Sequence, residues 1–248
     1  MARYKLILAY DGTDFAGSQR QAGRRTVQGE LEKALYSLGW RDRSVILAGR
    51  TDTGVHAANQ VAAFDLEWKH GTDALRDALN ATMPWDMVAQ DVVLADANFH
   101  PRFDAVSRRY RYRLFCSSVR DPLRERFTWC VWPAVHLSAL KEVAAIFLGE
   151  HDFSAFGSAT HAHGSTIRTV TLSQWKRVDK GLQYEIEADA FLYRMVRRLV
   201  YVQVAVAQGR CLKKYVIAAL SVSSRGNKLP AGLAPAHGLS LVAVDYSK

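Results

Sequence analysis

The sequence predicts an α+β protein built from two tandem ferredoxin-like (βαββαβ) subdomains with antiparallel sheets. Three observations carry that prediction. Segments of strand-like and helix-like hydrophobic period alternate in the order strand, helix, strand, strand, helix, strand through the first half. The second half repeats the order as a pattern, without residue-level repetition. The clearest hairpin, Thr169 to Ala190, requires antiparallel pairing. A length of 248 residues is enough for two modest domains with real cores. The expected subdomains are 1–104 and 105–248.

The elements follow in order. Tyr4–Tyr10 alternates weakly and reads as a strand ending at the Asp11-Gly12 turn. Thr26 can cap a helix that places Leu31, Ala34, Leu35 and Leu38 on one stripe, with Gly39 as its stop. Val45-Ile46-Leu47 is a short strand, and Gln60–Glu67 another. Thr72–Met83 reads as a helix ending before Pro84, and Asp86–Leu94 as a fourth strand. In the second half, Arg109–Cys116 is strand-like. Ser138 is the expected cap of a helix carrying Leu140, Val143, Ala144, Phe147 and Leu148, stopped by Gly149. Thr169–Val178 then turns at Asp179-Lys180-Gly181 into Leu182–Ala190. There Leu182, Tyr184, Ile186, Ala188 and Ala190 alternate with Gln183, Glu185, Glu187 and Asp189, which predicts one buried and one polar face. Leu192, Met195, Val196, Leu199 and Val200 make a helical stripe, and Leu239–Tyr246 closes as a strand.

Composition narrows the class. Apolar residues make up 49% of the chain, ordinary for a globular protein. No apolar run reaches the length of a membrane span. The start, Met-Ala-Arg-Tyr-Lys, leads into an apolar run too short for a signal peptide. Cys116, Cys130 and Cys211 are odd in number and lack metal spacing, which fits reduced thiols. These features set the expectation of a cytoplasmic protein that meets no membrane. His161 and His163 share a Gly-flanked segment without a carboxylate or cysteine in metal spacing, so a solvated loop is expected and no metal site.

The net charge of +9 favours a polyanionic partner. Basic residues gather in Arg20–Arg25, Arg102–Arg113 and Arg194–Arg198. Phe103, Tyr110, Tyr112, Phe191 and Tyr193 interleave the last two groups. Cations for phosphate beside aromatic platforms suit a nucleic acid with exposed bases.

The most informative stretch is Ala48-Gly49-Arg50-Thr51-Asp52-Thr53-Gly54-Val55-His56-Ala57. If the backbone stays extended after Leu47, Arg50 and Asp52 share a face. A carboxylate beside a fixed cation stays ionised and can act as nucleophile or base. The competing local reading is a turn residue that hydrogen-bonds its own backbone. Asp52-Thr53-Gly54 also opens the site of aspartic peptidases. Those enzymes need a second such carboxylate, and no second Asp-Thr-Gly or Asp-Ser-Gly exists in this chain.

Motifs in a fixed order now point to one family. Tyr10-Asp11-Gly12-Thr13-Asp14-Phe15-Ala16-Gly17, Gln19-Arg20-Gln21, Thr26-Val27-Gln28 and Gly49-Arg50-Thr51-Asp52-x-Gly54-Val55-His56 open the set. Phe99-His100-x-Arg102-Phe103, Arg109-Tyr110-Arg111-Tyr112, His151-Asp152-Phe153, Phe191-x-x-x-Met195-Val196-Arg197 and Ala234-Pro235-Ala236-x-Gly238-Leu239 complete it. Together they resemble the tRNA pseudouridine synthase A family across essentially the whole chain. Ser18, Pro101 and Tyr201 depart from it, where the family usually has Trp, Ala and Gly.

The resemblance implies two ferredoxin-like units flanking a central active-site cleft, and a homodimer. It implies isomerisation of uridine to pseudouridine at positions 38 to 40 of the anticodon arm of tRNA, on a flipped-out base. Neither a metal nor a redox cofactor is implied, because uracil leaves C1′ through N1 and returns through C5. By position, Asp52 is the implied catalytic aspartate, attacking C1′ or C6 or removing the C2′ proton. Tyr110 is implied to stack on the target base, and Arg197 to pair with the aspartate. Arg50 is implied to enter the RNA helix and help extrude the base. Arg20, Arg24 and Arg25, in a polar loop before the Thr26 cap, are expected to touch phosphate. The alternative from another class is a non-catalytic tRNA-binding module of the same fold.

Overall fold

The structure, a computed structural model, describes residues 1–159, 164–221 and 228–247. His161 and His163 lie outside the described residues. The chain forms two compact units, Met1–Val106 with Ser240–Lys248, and Ser107–Leu239. Both mix helices with mostly antiparallel sheet.

The first unit runs β1 (Ala2–Tyr10), α1 (Val27–Ser37), β2 (Ile46–Leu47), β3 (His56–Leu66), α2 (Thr72–Thr82) and β4 (Met87–Leu94). Strand β1 lies between β3 and β4, antiparallel to both. The far side of β3 takes β2 antiparallel through Ile46 and Leu47. On that side it also takes the C-terminal strand Leu239–Asp245, parallel through Ser240 and Leu241. Alternation decides the core: Tyr4, Leu6, Leu8 and Tyr10 of β1 are buried, as are Leu31 and Leu35 of α1 and Leu75 and Leu79 of α2. Thr26 caps α1 as expected, its hydroxyl accepting the Gly29 N–H at 3.2 Å.

The second unit runs β5 (Ser107–Cys116), β6 (Trp129–Val131), α3 (Leu137–Ala145), β7 (Gly149–Asp152), β8 (Ile167–Val178), β9 (Gly181–Ala188), α4 (Met195–Ala207) and α5 (Lys213–Ala218). The C-terminal strand Leu239–Asp245 is β10. The antiparallel order is β5-β9-β8-β7, with β6 parallel to β5. Trp175 stacks on Tyr184 with ring centroids 5.1 Å apart, and the indole donates to Gln203 Oε1 at 2.7 Å. Burial raises the Tyr184 phenol pKa, with the Ser173 and Gln203 hydrogen bonds opposing it.

Several expectations need correction. Ser138 lies inside α3; His136 occupies the cap position and makes no side-chain cap bond, so packing of Leu140, Val143 and Ala144 sets the helix start. Strand β3 begins at His56, four residues before Gln60, because it leaves the Gly54 turn already paired with β1 and β10. Strands β6 and β7 and helix α5 were not anticipated; each is short and lacks a readable period.

The largest correction concerns β5 and β9. The side of β9 expected to be polar and open is covered: Gln183 and Glu185 are 4% and 7% exposed. The register places Arg109 opposite Glu187, Arg111 opposite Glu185 and Arg113 opposite Gln183. Arg109 reaches Glu187 at 2.6 Å and Arg111 reaches Glu185 at 3.2 Å. Arg113 reaches the Gln183 amide oxygen at 3.4 Å. Tyr110 and Tyr112 are buried, since alternation turns them to the other face. The arginines and tyrosines of this cluster therefore do not form a joint cationic and aromatic surface.

Lys176 also reaches Glu185, at 3.2 Å. Burial pushes the Glu185 carboxyl up, but hydrogen bonds from Lys176 and Arg111 outweigh it and the net pKa is lowered. A lowered carboxyl pKa stabilises the fold above the unfolded value, near 4.5, and that stabilisation is lost as pH falls through the folded value. Glu185→Gln is accordingly expected to lower Tm at pH 7. The gap to the parent should close as the buffer is taken below pH 4.5. A gap that widens with acid in paired melts would contradict the assignment.

Tyr201 sits on α4 against Gly232. Gly232 has φ 135°, and a Cβ there would lie 2.5 Å from Tyr201 Cζ. Arg198 donates to the carbonyls of Pro230 and, at 3.0 Å, Gly232. Among the described residues no helix is long and apolar enough to cross a membrane.

Candidate active site

Strand β2 stops at Leu47, three residues before Arg50. The extended backbone that would place Arg50 and Asp52 on one face is therefore not a strand, and their placement has another origin. Two buried side chains hold the peptide units on either side of Arg50. Gln60, which is 0% exposed, accepts the Gly49 N–H at 3.2 Å and donates to the Gly49 carbonyl at 2.9 Å. Ser18 acts on Thr51 in the same way. Its hydroxyl accepts the Thr51 N–H at 2.8 Å, and its own N–H donates to the Thr51 carbonyl at 3.0 Å. Each clamp satisfies both backbone groups of one residue, so neither is left unpaired in the interior.

A third support comes from β1. The Tyr10 hydroxyl shares a 2.9 Å hydrogen bond with the Thr51 hydroxyl, and Gln60 Nε2 reaches the same phenol at 3.4 Å. Burial raises the Tyr10 pKa, and those two bonds oppose it. Arg50 itself is exposed and Asp52 is half-buried. Asp52 is also a turn residue. Its carbonyl accepts the Val55 N–H at 3.1 Å, and Gly54 takes φ 77°, a conformation that favours glycine. The local turn reading of Asp52 therefore holds at the level of its backbone.

His56, at the start of β3, is buried. Its Nδ1 lies 2.9 Å from the Gly12 N–H and 3.0 Å from Asp11 Oδ1. Ser18 and His56 stand within or beside the sequence motifs, whereas Gln60 lies outside them. The sequence signal for Gln60 is an amide directly before the apolar run Val61–Phe64 of β3.

The three loop arginines differ. Arg20 pairs with Glu32 at 2.7 Å and keeps half of its side chain exposed. Arg25 makes two parallel 2.8 Å bonds to Asp86 and lies 4.2 Å above the Phe15 ring centre. Arg24 is exposed.

The second unit holds the other candidates. Tyr110 is buried on β5 and meets Phe191 edge-on at 5.1 Å. Arg197, in the first turn of α4, donates from Nε to the Ala234 carbonyl at 2.9 Å. Tyr112 donates its hydroxyl to the neighbouring Pro235 carbonyl at 2.8 Å. Burial pushes that phenol well above its usual pKa, and the Arg197 charge partly offsets the rise. Tyr112, expected among the aromatic platforms, is fully buried. Arg194 precedes α4 with φ 62°, the left-handed region a non-glycine residue seldom occupies. Among the described residues no group of three His, Cys, Asp or Glu is placed to hold a metal ion.

Comparison with known proteins agrees with the motifs. Residues 6–104 and 143–247 match the model of a family described as tRNA pseudouridine synthase. A tRNA pseudouridine synthase A of Chloroflexus aurantiacus is 40% identical over 253 residues, covering 99% of this chain and 89% of the relative. That of Geobacillus kaustophilus is 38% identical, covering 98% and 94%. That of Pseudothermotoga lettingae is 36% identical, covering 99% and 100%.

Proposed function

This chain belongs to the tRNA pseudouridine synthase family, and from that membership we propose that it acts on uridines 38 to 40 of the tRNA anticodon arm, with Asp52 as nucleophile or base. It is an isomerase that converts uridine to pseudouridine in tRNA. The C1′–N1 bond breaks, the uracil turns, C1′ bonds to C5, and the C5 hydrogen leaves to water while N1 gains one. Atoms and electrons balance within the substrate and water.

One observation carries the site assignment. Gln60 and Ser18 fix Gly49 and Thr51 through four hydrogen bonds, and so present Arg50 and Asp52 from a rigid base. Asp52 acts at C1′, at C6 or on the C2′ proton. Arg50 helps extrude the base, Tyr110 stacks on it, and Arg197 pairs with the aspartate. We take 1–104 and 105–248 as two ferredoxin-like subdomains. The position of β1 between β3 and β4, with β2 beyond β3, supports that reading for the first. The working protein is proposed to be a cytoplasmic homodimer.

The deciding measurement is tritium release from unmodified tRNA transcript labelled at uridine C5. Release to water is expected. Tight binding without release would instead make the chain a tRNA-binding module.

The loop arginines divide under this reading. Arg24, and the exposed half of Arg20, meet phosphate, while Arg25 also holds the loop to Asp86. Arg24→Ala is expected to lower the salt slope of tRNA binding by about one. Arg25→Ala is expected to destabilise the fold by about 1–3 kcal/mol, because Asp86 loses two charged hydrogen bonds. Salt titrations and denaturant melts of the two variants distinguish these outcomes. Equal salt slopes for Arg24→Ala and the parent would remove Arg24 from the interface.

A further inference from the structure

The loop after β4 carries an aromatic ring that the reaction as described does not use. Phe103 is 76% exposed, yet it is held in place. Its ring lies on the His100 imidazole with centroids 4.2 Å apart and planes 25° from parallel. The imidazole is fixed in turn, since His100 Nδ1 accepts the N–H groups of Arg102 and Phe103, both at 3.2 Å.

The surrounding loop is tied down at four points. Arg3 Nε donates to the Phe99 carbonyl at 2.6 Å, and the Tyr246 hydroxyl donates to the Pro101 carbonyl at 2.7 Å. The His100 N–H donates to Asp104 Oδ2 at 2.8 Å, and the Asp104 N–H returns to the His100 carbonyl at 3.0 Å. Pro101 fixes one more backbone angle. A phenyl ring this exposed adds little to the core. Holding it in one place lowers the ordering cost of binding for anything flat that lands on it.

We infer that the His100–Phe103 stack is a platform for one unpaired nucleobase of the bound tRNA, outside the target uridine's own site. The inference rests on the tRNA reading given above. A single ring backed on one face offers area for one base. The Arg102 guanidinium lies over the same ring, 5.9 Å from its centroid and at the outer limit of a cation–π contact, which puts a cation for phosphate beside the platform. The formal charge of +9 makes a polyanion the fitting occupant.

The test measures tRNA Kd for Phe103→Ala, Phe103→Leu and Phe103→Trp with unmodified transcript, beside sedimentation of each protein. Ala and Leu are expected to raise Kd between about five- and a hundredfold with the salt slope unchanged, and Trp to keep parental affinity. Abasic substitution along the anticodon arm should find one nucleotide whose loss makes Phe103→Ala harmless. The inference is overturned by an unchanged Kd for Phe103→Ala. It is overturned equally by Leu matching Trp, since apolar contact would then suffice, or by a changed oligomeric state in the Ala variant. Tritium release by the parent protein is read separately. Its absence would remove the isomerase assignment while the Kd series still judged the platform.

Discussion

Asp52→Asn is expected to abolish pseudouridine formation while tRNA affinity stays nearly unchanged. The substitution keeps the size of the side chain. The backbone bond that closes the turn, from the Val55 N–H to the residue 52 carbonyl at 3.1 Å, does not depend on the carboxylate. The clamps on Gly49 and Thr51 are likewise untouched, so the loop should hold its shape. The loss is chemical: an amide neither attacks carbon nor takes a proton at neutral pH. Removing a reacting group of this kind costs about a thousandfold in kcat or more. Affinity survives because phosphate contacts supply most of it. Single-turnover tritium release together with filter binding gives both numbers. Substantial turnover by the Asn protein would remove Asp52 from its role.

Gln60→Leu should produce the next largest loss, roughly a hundredfold in kcat, although residue 60 is fully buried. The amide holds the Gly49 N–H and carbonyl, and leucine leaves both without their partner. If its main effect passes through Arg50, the defect has a signature. Arg50→Ala should slow turnover more when the target uridine is stacked in the stem than when it lies in the loop, since extrusion then costs more. Gln60→Leu should show the same bias, and the double variant should be little worse than Arg50→Ala alone. Gln60→Glu, which keeps an acceptor for the Gly49 N–H, should recover part of the rate. Additive losses with no stem bias, at an unchanged Tm, would make Gln60 a catalytic influence independent of Arg50.

The parts of this fold legible in the sequence are those whose information is local. Thr26 with Leu31 and Leu35 announces α1 because cap and stripe lie within three turns. The Thr169–Ala190 hairpin announces β8 and β9 for the same reason. Strand β6 was missed because three residues joining β5 in parallel carry no period of their own. The closed side of β9 was misread because Glu185 and Glu187 look solvent-facing until register brings Arg111 and Arg109 across from them. The site divides in the same way. Arg50 and Asp52 stand in a motif, whereas the residues that hold their loop, Gln60 and Ser18, act from other elements. Their roles exist only after β3 and the loop before α1 have been brought to the same place.

The contact between Tyr201 and Gly232 bears on how such a sequence can change over time. Two separate conditions hold the same residue. Position 232 requires glycine for a backbone angle of φ 135° that other residues rarely adopt. The Tyr201 ring then closes the space above it, where a Cβ would lie 2.5 Å from Cζ. Shrinking Tyr201 removes one barrier and leaves the other, so any change away from glycine at 232 meets two obstacles in succession.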